Sequence, residues 1–391
     1  MNASLTVFVK EVRENLRERR TVLNAVFTGP LIGPLMFMVL VNVTVSRQLD
    51  EAEAPLALPV IGASRAPNLI EALRQQGFEP QPPVADPIAV VRNQDAVAVL
   101  RIPDSFGDAW RTGDPAPVEL YYDSSRRDTD QPVTRLKAMI ESYSHRTGAM
   151  RLVARGLSPT VSNPVLVAER DQSTPRSRAG KLFSILPYFF VLTVFMGGMY
   201  LAVDLTAGER ERQSMEPLFI NPVAPWRILL GKIGAICVFS LSSLLICAIA
   251  FPVAARFIPT EKLGIALDLG PAFVLEVLVL MLPLVLLVAG LQTLVASFSK
   301  SYREAQTYLS ILMLVPVLLS VLLTVLPVKT AEWMYAVPLL GQQLGITELL
   351  VGGSVTARQL GTCMLSGFIV AALMLAITAR VYDSERLAIS A

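Results

Sequence analysis

Six long stretches of this sequence are apolar and carry no charged residue. These stretches are residues 21–46, 182–203, 233–255, 277–299, 305–328 and 359–379. A membrane core about 30 Å thick is crossed by a helix of about 20 apolar residues, whereas apolar runs in soluble cores are usually roughly ten to fourteen residues long. We therefore predict an all-α membrane protein with six spans. With flanking residues, the predicted spans are 21–46, 182–204, 229–256, 271–299, 305–328 and 358–380.

The region between the first two spans, residues 47–178, has a different composition. It contains 16 Lys/Arg and 17 Asp/Glu, although charged residues make up only 17% of the whole chain. Predicted strands are Leu56–Gly62, Ala96–Ile102 and Val118–Asp123, and predicted helices are Asn68–Gln76 and a long helix from Gln131 to Gly156. Strands that alternate with helices favour a small layered sheet. We therefore predict an inserted α/β domain that returns to the membrane through a linker at 158–178.

Basic residues are distributed unevenly around the spans. With the N-terminus inside, the inner segments 1–21, 204–232, 300–304 and 380–391 carry thirteen Lys/Arg, and the outer loops 256–268 and 329–358 carry four. Short loops rich in Lys and Arg stay in the cytoplasm. This predicts a multi-pass protein of the bacterial cytoplasmic (inner) membrane, with both termini and the tail 381–391 inside and the α/β domain extracytoplasmic. The first stretch is too long for a cleaved signal peptide, so we expect an uncleaved anchor.

Two shorter segments are predicted to lie at the membrane surfaces. Residues 1–20 form an amphipathic helix, and its apolar face comprises Leu5, Phe8, Val9, Val12 and Leu16. This helix suits either the surface of the inner leaflet or a cytoplasmic partner. Residues 338–353 are apolar but too short to span, which favours a re-entrant or interfacial helix on the outer face.

The residue types that most enzymes need are scarce. The chain has one histidine, His145, and its three cysteines, Cys237, Cys247 and Cys363, all lie within predicted spans. Metal-ligand spacings of Cys and His, the G-x-S-x-G motif and the phosphate-binding loop G-x-x-x-x-G-K-[ST] do not occur. No basic patch with interleaved aromatic residues points to nucleic acid. We expect no catalytic residue, no metal or cofactor in this chain, and no enzymatic activity.

A dense charge cluster follows the second span, in GERERQSMEPL at residues 208–218. Its alternating charges are Glu209, Arg210, Glu211 and Arg212, which occupy all sides of one helical turn. The simplest interpretation is a solvated helix end, with Glu209 and Glu216 exposed to water. The alternative is a docking element, because apolar Met215 and Leu218 follow the charges and prolines then bend the chain.

This stretch resembles the cytoplasmic loop in the permeases of type-2 ABC exporters, which has the pattern G-E-[RK]-E-[RK]-G-T-L-E-x-L-L-x-x-P-V. The matching residues are Gly208, Glu209, Arg210, Glu211, Arg212, Glu216, Leu218, Pro222, Val223, Gly231 and Lys232, whereas Gln213, Ser214, Met215 and Phe219 depart from the pattern. The order of predicted segments is also similar to that of these permeases. VIGASRAPNLIEALRQQGFE, RIPDSF and PLLGQQLGITELL resemble the NatB-like sodium-exporter branch.

The resemblance implies a permease subunit that forms a homodimer, with a cytoplasmic ABC ATPase subunit bound to each copy. ATP and Mg²⁺ would bind in those two ATPase subunits, and membrane lipid would surround the spans. Residues 205–228 would be a coupling elbow. In this elbow, the residues implied to make ionic contacts to the ATPase are Glu209, Arg210, Glu211, Arg212 and Glu216, and those implied to make apolar contacts are Met215 and Leu218.

The sequence leaves several substrates as alternatives. The branch resemblance suggests sodium efflux, and a hard cation needs about six oxygen ligands. Candidates along the spans are Glu276, Asp204, Gln292 and Thr293, but the two carboxylates lie near span ends and the other two residues suit helix packing equally well. Long apolar walls suit a lipid-like, peptide or drug-like amphiphile as well. A membrane-anchored sensor with an extracytoplasmic ligand-binding domain is the alternative of another class.

Overall fold

The structure is a computed structural model of the 391-residue chain. It describes residues 3–18, 22–126, 128–162, 170, 172–175, 183–214, 223–258, 269–325 and 330–389. Two compact units are present, one formed by Val45–Asp171 and the other by Met1–Thr44 together with Gln172–Ala391. The smaller unit is the α/β domain, and the larger one is a helical bundle.

Within the described residues, six helices are long and apolar enough to cross a membrane, as predicted. They are Ala25–Ser46, Leu186–Glu211, Pro225–Ala255, Pro271–Ser297, Tyr302–Leu323 and Ala357–Asp383. At 1.5 Å per residue, even a 22-residue helix is about 33 Å long, enough to cross the apolar core.

The helices are numbered in chain order. They are α1 (Ala3–Arg17), α2 (Gly29–Glu53), α3 (Pro67–Arg74), α4 (Pro87–Arg92), α5 (Phe106–Thr112), α6 (Asp130–Ala154), α7 (Leu186–Val203), α8 (Pro225–Ala255), α9 (Pro271–Ser297), α10 (Tyr302–Leu312), α11 (Leu314–Val325), α12 (Leu340–Val351) and α13 (Ala357–Ile389). A π-helical turn at Leu23–Thr28 precedes α2, and another at Asp204–Gly208 follows α7. Helices α3 to α6 belong to the α/β domain.

Helices α7, α8 and α9 pack closely at the centre of the bundle. Gly197 and Gly198 of α7 allow this approach, because a Cβ atom on either glycine would lie 2.6 Å from a serine hydroxyl of α8. The serines are Ser243 and Ser240. Small residues at such contacts let helix backbones approach each other in a membrane, where van der Waals packing holds helices together.

The outward faces of the bundle are apolar. Met36 of α2, Leu318 of α11 and Leu365 of α13 are 64%, 67% and 66% exposed. Such an extensive apolar surface would be unfavourable in water, whereas lipid tails accommodate it. The surface therefore agrees with a bundle that spans a membrane.

Helix α1 packs against α8 in an orientation that the sequence predicted only in part. Gly231 of α8 leaves room for the start of α1, and Phe8 packs against the bundle. The polar residue Glu11 is only 3% exposed, whereas Leu5 and Leu16 are 51% and 58% exposed. The predicted apolar face is therefore split, with one edge in the bundle and the other open.

The fifth span consists of two helices, α10 and α11, which meet at Met313. Pro316 accounts for the break, because proline lacks an amide hydrogen and its ring clashes with the carbonyl of the residue four positions earlier, here Leu312. The end of the predicted span, residues 326–328, lies outside the described residues. Helix α12 follows within the predicted 338–353 segment and ends at Gly352, whose φ of 83° favours glycine.

The α/β domain is built on a four-stranded sheet. Its strands are β1 (Leu56–Ile61), β2 (Phe78–Gln81), β3 (Ala98–Arg101) and β4 (Glu119–Tyr122), arranged in the order β2-β1-β3-β4. Strand β1 is parallel to β2 and β3, and β4 is antiparallel to β3. The predicted strands and helices coincide with β1, β3, β4, α3 and α6. The sequence missed β2, α4 and α5, which have only four, six and seven residues.

Candidate coupling site

The candidate site is the charged turn Glu209–Arg212, at the end of the second span. After the π-helical turn Asp204–Gly208, a last helical turn covers Glu209–Glu211. The Ser214 amide then donates to the Glu209 carbonyl and the Gln213 amide to the Arg210 carbonyl, each at 3.0 Å. These two bonds form a Schellman motif, and Gln213 occupies its left-handed position with a φ of 54°. The pattern of type-2 permeases has glycine there, so Gln213 keeps the bend without it.

Glu209 is bound inside the bundle. Its carboxylate accepts a hydrogen bond from Lys232 Nζ of α8, with which it forms an ion pair. Lys232 is fully buried, and it also donates to the Leu205 carbonyl at 2.8 Å and to the Tyr382 hydroxyl at 3.2 Å. Tyr382 lies on α13 and is itself fully buried. Glu209 and Lys232 therefore join the ends of three spans.

The next two residues of the charged turn contact α9 and α10. The Arg210 guanidinium donates to the carbonyl of Ser299, just beyond α9, at 3.1 Å. The Glu211 carboxylate accepts from the amide of Tyr302, the first residue of α10, at 2.8 Å. The first amides of a helix lack a partner within the helix and carry partial positive charge, so a carboxylate stabilises them. Glu211 thus caps the fifth span.

Arg212, the last residue of the charged turn, forms an ion pair with a residue of its own span. Its guanidinium lies 2.5 Å from Asp204 Oδ1, and the two side chains are 64% and 27% exposed. This ion pair lies at the rim of the site, where solvent weakens it.

These contacts correct one prediction. Glu209 was expected to be exposed to water, but only 14% of its side chain is exposed. The physical reason is that the ends of α8 and α13 converge here, and the buried ammonium of Lys232 requires a negative partner. The other predicted coupling residues, Met215, Glu216 and Leu218, lie outside the described residues.

A second carboxylate lies on α1, close to this network. Glu11 is 3% exposed, and its pKa is raised, chiefly because burial disfavours the charged form. The ammonium of Lys10, 3.3 Å away, and that of Lys232 act in the opposite direction, and the charge of Glu209 adds to the increase. The N-terminal helix therefore contributes a buried acid to the same end of the bundle.

The residues proposed from sequence to line a substrate path are not brought together. Glu276 is exposed near the start of α9, whereas Asp204 lies at the opposite end of the bundle, in the charged turn's ion pair. The Gln292 side chain donates to a carbonyl of α7 and the Thr293 hydroxyl to a carbonyl of its own helix, both at 2.7 Å. The contacts of Gln292 and Thr293 are those of helix packing.

A cavity of about 450 Å³ lies at the end of the bundle where α7 begins. The start of α7, α11 and α12 line it mainly with apolar side chains, among them Ile185 and Val321. Its polar groups include Gln343, whose Nε2 donates to Ser320 Oγ at 2.6 Å. Apolar walls with a few polar groups suit an amphiphilic molecule.

Six apolar spans, five of which are joined at one end by a charged turn, define a multi-pass membrane protein. The chain belongs to the ABC-2 family of transporter proteins, whose sequence model matches residues 20–380. It is 26% identical over 315 residues to the ABC transporter permease protein NatB of Bacillus subtilis (strain 168), a match that covers 80% of each chain. No solved structure matches it. The resemblance to type-2 ABC exporter permeases and to NatB is confirmed, and the chain is a permease subunit.

Permeases of this family work with a cytoplasmic ATPase subunit. The sensor alternative is not favoured by these matches.

Sequence reasoning did not select Lys232, Tyr382 or Glu11 as site residues. Lys232 carried a signal, because an ionisable residue inside an apolar helix is a functional candidate. Tyr382 lies 150 residues away from it in the chain, and only the packing of α13 brings the two together. Glu11 is not among the residues predicted for the apolar face of α1, and only the tertiary packing of this helix buries it.

Proposed function

We propose that this chain is the transmembrane subunit of an ATP-driven exporter in a bacterial cytoplasmic membrane. It acts as a homodimer with two copies of a cytoplasmic ABC ATPase subunit, which bind ATP and Mg²⁺. Both termini and the charged turn face the cytoplasm, and the α/β domain lies outside. Membership in the ABC-2 family and the excess of basic residues on one side support this proposal.

The main observation behind the proposal is the number of spans that the charged turn contacts. Its four side chains contact α8, α10, the residue after α9 and the π-helical turn of the second span, and Lys232 extends these contacts to α13. A protein that presses on this one turn therefore acts on five spans at once. Met215, Glu216 and Leu218 follow directly in the chain, and we propose that they contact the ATPase.

Association with the ATPase tests this proposal directly. The permease is co-expressed with candidate ABC ATPase subunits from the same organism and purified through a tag on the permease, and we expect two copies of each subunit in the complex. Glu216→Lys should reduce the recovered ATPase, because like charge would replace attraction at the contact. Glu332→Lys is the matched control, since Glu332 is 66% exposed and paired only with the exposed Arg358 among the described residues. Failure of the wild-type subunits to associate would refute the proposal.

The orientation is tested by labelling single cysteines. In a variant with Cys237, Cys247 and Cys363 replaced by alanine, Ser125→Cys reports on the α/β domain and Lys300→Cys on the loop beside the charged turn. We expect an impermeant thiol reagent to label Ser125→Cys in intact spheroplasts and Lys300→Cys only after lysis. The opposite pattern would place the charged turn outside and exclude it from any contact with a cytoplasmic ATPase.

For the substrate, we propose sodium and an amphiphile as the two candidates. The likeness to NatB motivates sodium, whereas the apolar cavity beside Gln343 favours an amphiphile. The complex reconstituted in vesicles separates them by ATP-dependent sodium flux and by stimulation of ATP hydrolysis with a long-chain alkyl ammonium detergent. Flux that is lost in Glu276→Gln would favour sodium. Stimulation without flux, weakened by Val321→Trp in the cavity, would favour the amphiphile.

A further inference from the structure

Lys232 is the most completely enclosed charged residue among those the structure describes. It is 0% exposed, although α8 is a membrane-spanning helix. An ammonium group has three N–H donors, and each of them has an acceptor here: the Leu205 carbonyl, the Glu209 carboxylate and the Tyr382 hydroxyl. A group with every donor engaged cannot shift far without breaking one of these bonds.

The acceptors lie on two separate parts of the bundle. Leu205 and Glu209 belong to the π-helical turn and the charged turn, which precede the proposed ATPase contact by only a few residues. Tyr382 belongs to α13, the last span, and its ring centroid is 5.8 Å from the ammonium. Lys232 therefore stands between the charged turn and the last span.

Stability alone is a weak reason to place a charge here. Replacement of a buried ion pair by well-packed apolar residues of similar size is often neutral or stabilising. An ion pair differs from an apolar contact in being directional, because the ammonium has to stay aligned with its three acceptors. A π-helical turn, which occurs frequently at functional sites, provides one of those acceptors.

We propose that Lys232 is a positioning residue of the coupling site, which conveys movement of the charged turn to α13 through the hydroxyl of Tyr382. This inference rests on the proposed function, because the movement originates in the ATPase subunit. When Glu209 is displaced, the ammonium follows its carboxylate, and Tyr382 follows the ammonium. The last span is thereby coupled to a turn from which it is remote in sequence.

The test uses the full permease–ATPase complex in nanodiscs of phosphatidylethanolamine and phosphatidylglycerol. Hydrogen–deuterium exchange is compared between the nucleotide-free complex and the complex trapped with ATP, Mg²⁺ and orthovanadate. In the wild type, trapping should change exchange both in residues 205–214 and in residues 376–383. In Tyr382→Phe, the change at 205–214 should persist, whereas the change at 376–383 should fall at least about twofold, because the hydroxyl that accepts from the Lys232 ammonium is removed.

Tyr308→Phe is the matched control. Tyr308 donates its hydroxyl to the carboxylate of Glu304 at 2.8 Å, but it is 42% exposed and, among the described residues, makes no hydrogen bond with the charged turn. This variant should respond to trapping as the wild type does. A merely structural hydroxyl at Tyr382 would alter thermal stability without uncoupling the two segments. Equal responses of 376–383 in Tyr382→Phe and the wild type would overturn the inference, as would a wild-type complex in which 376–383 does not respond.

A second set of variants keeps the inference testable should Tyr382→Phe disturb the packing of α13. Lys232→Met and Glu209→Gln each remove one charge, and the double variant removes both. If the ammonium conveys the movement, each single variant and the double variant should lose the response at 376–383 to the same extent, which is the non-additivity of residues that act as a unit. Additive losses would overturn the inference and leave the proposed function intact. Failure of the subunits to associate would refute the proposed function, and the inference with it.

Discussion

The bundle and the α/β domain place the same kinds of residues in opposite environments. In the domain, the Arg111–Asp108 ion pair has side chains that are 79% and 80% exposed. In the bundle, the side chains of the Lys232–Glu209 pair are 0% and 14% exposed. Water surrounds the first pair and screens it, whereas burial of the Lys232 ammonium keeps away the solvent that could replace a lost partner. We therefore expect an ion pair in this chain to contribute to stability only where its surroundings exclude solvent.

Apolar residues show the reverse arrangement. Leu100 on the central strand β3 is fully buried, whereas Leu365 on the transmembrane helix α13 is 66% exposed. The domain hides its apolar side chains from water, and the bundle presents many of them to lipid. Burial of a leucine therefore identifies the core in the α/β domain but not in the bundle.

The largest effect should come from breaking the buried ion pair. Lys232→Met leaves the Glu209 carboxylate buried without its partner, which should destabilise the permease by about 3–5 kcal/mol. Arg111→Met breaks the exposed pair and should leave the unfolding midpoint unchanged within error. Thermal unfolding of the purified permease in detergent, at one fixed scan rate, measures both. A small effect of Lys232→Met would mean that Glu209 finds another partner or is hydrated.

Substitution of Leu100 and Leu365 tests the difference between a leucine in the domain core and one on the lipid-facing surface. Leu100→Ala creates a cavity in the domain core and should cost about 2–5 kcal/mol of stability. Leu365→Ala changes a surface that faces lipid in both the folded and the partly unfolded protein, so we expect little change. Protease resistance of the domain in the full-length protein reports on the first variant, and the thermal midpoint on the second. Strong destabilisation by Leu365→Ala would indicate that this residue packs against protein instead of lipid.

A smaller effect, dependent on pH, is expected at Glu11. Its raised pKa means that the folded state holds the proton more tightly than the unfolded chain does. The stability gained in this way is fully present below the ordinary value of 4.5, and it is lost as the pH rises through the higher folded-state pKa. Glu11→Gln avoids that loss, so the midpoint should rise relative to the wild type at about pH 7.5, and the difference should shrink toward about pH 5.

Glu14→Gln is the control for this prediction, because Glu14 lies one turn away and its side chain is 60% exposed. It should change the midpoint little at either pH. If Glu11→Gln lowers the midpoint at neutral pH, then the charged form of Glu11 stabilises the bundle, and its interactions with the ammonium groups outweigh the burial.

The smallest effect concerns two left-handed positions, one in each region. Gln213, at a φ of 54°, ends the charged turn, and Gly113, at a φ of 86°, ends α5 in the domain. Gln213→Gly should stabilise the permease by at most about 1 kcal/mol, whereas Gly113→Ala should destabilise the domain by about 1 kcal/mol. Thermal midpoints and protease resistance measure the two. A loss of stability in Gln213→Gly would show that the glutamine side chain itself contributes to the turn.

Long local patterns made the spans predictable, because a helix in lipid must satisfy its backbone internally and present apolar side chains along its full length. The same holds for β1, β3 and the long helix α6, whose strand and helix patterns extend over several residues. The break at Pro316 also has a local cause, since proline disrupts the helix around it. The short elements β2, α4 and α5 were missed because so few residues carry too weak a pattern.

Local sequence patterns were therefore sufficient to predict the membrane class, the six spans, the inserted α/β domain and the charged turn. The contacts that the charges of that turn make depend on how the helices pack. The partners of Glu209 and Glu211 are Lys232 and Tyr302, and Lys232 in turn contacts Tyr382, 150 residues further along the chain. Residues so distant meet only when the helices pack, and their burial then converts a turn of apparently solvated charges into a set of enclosed contacts. Local sequence fixes where a span can form, and the convergence of span ends fixes which polar groups are removed from water and must find each other.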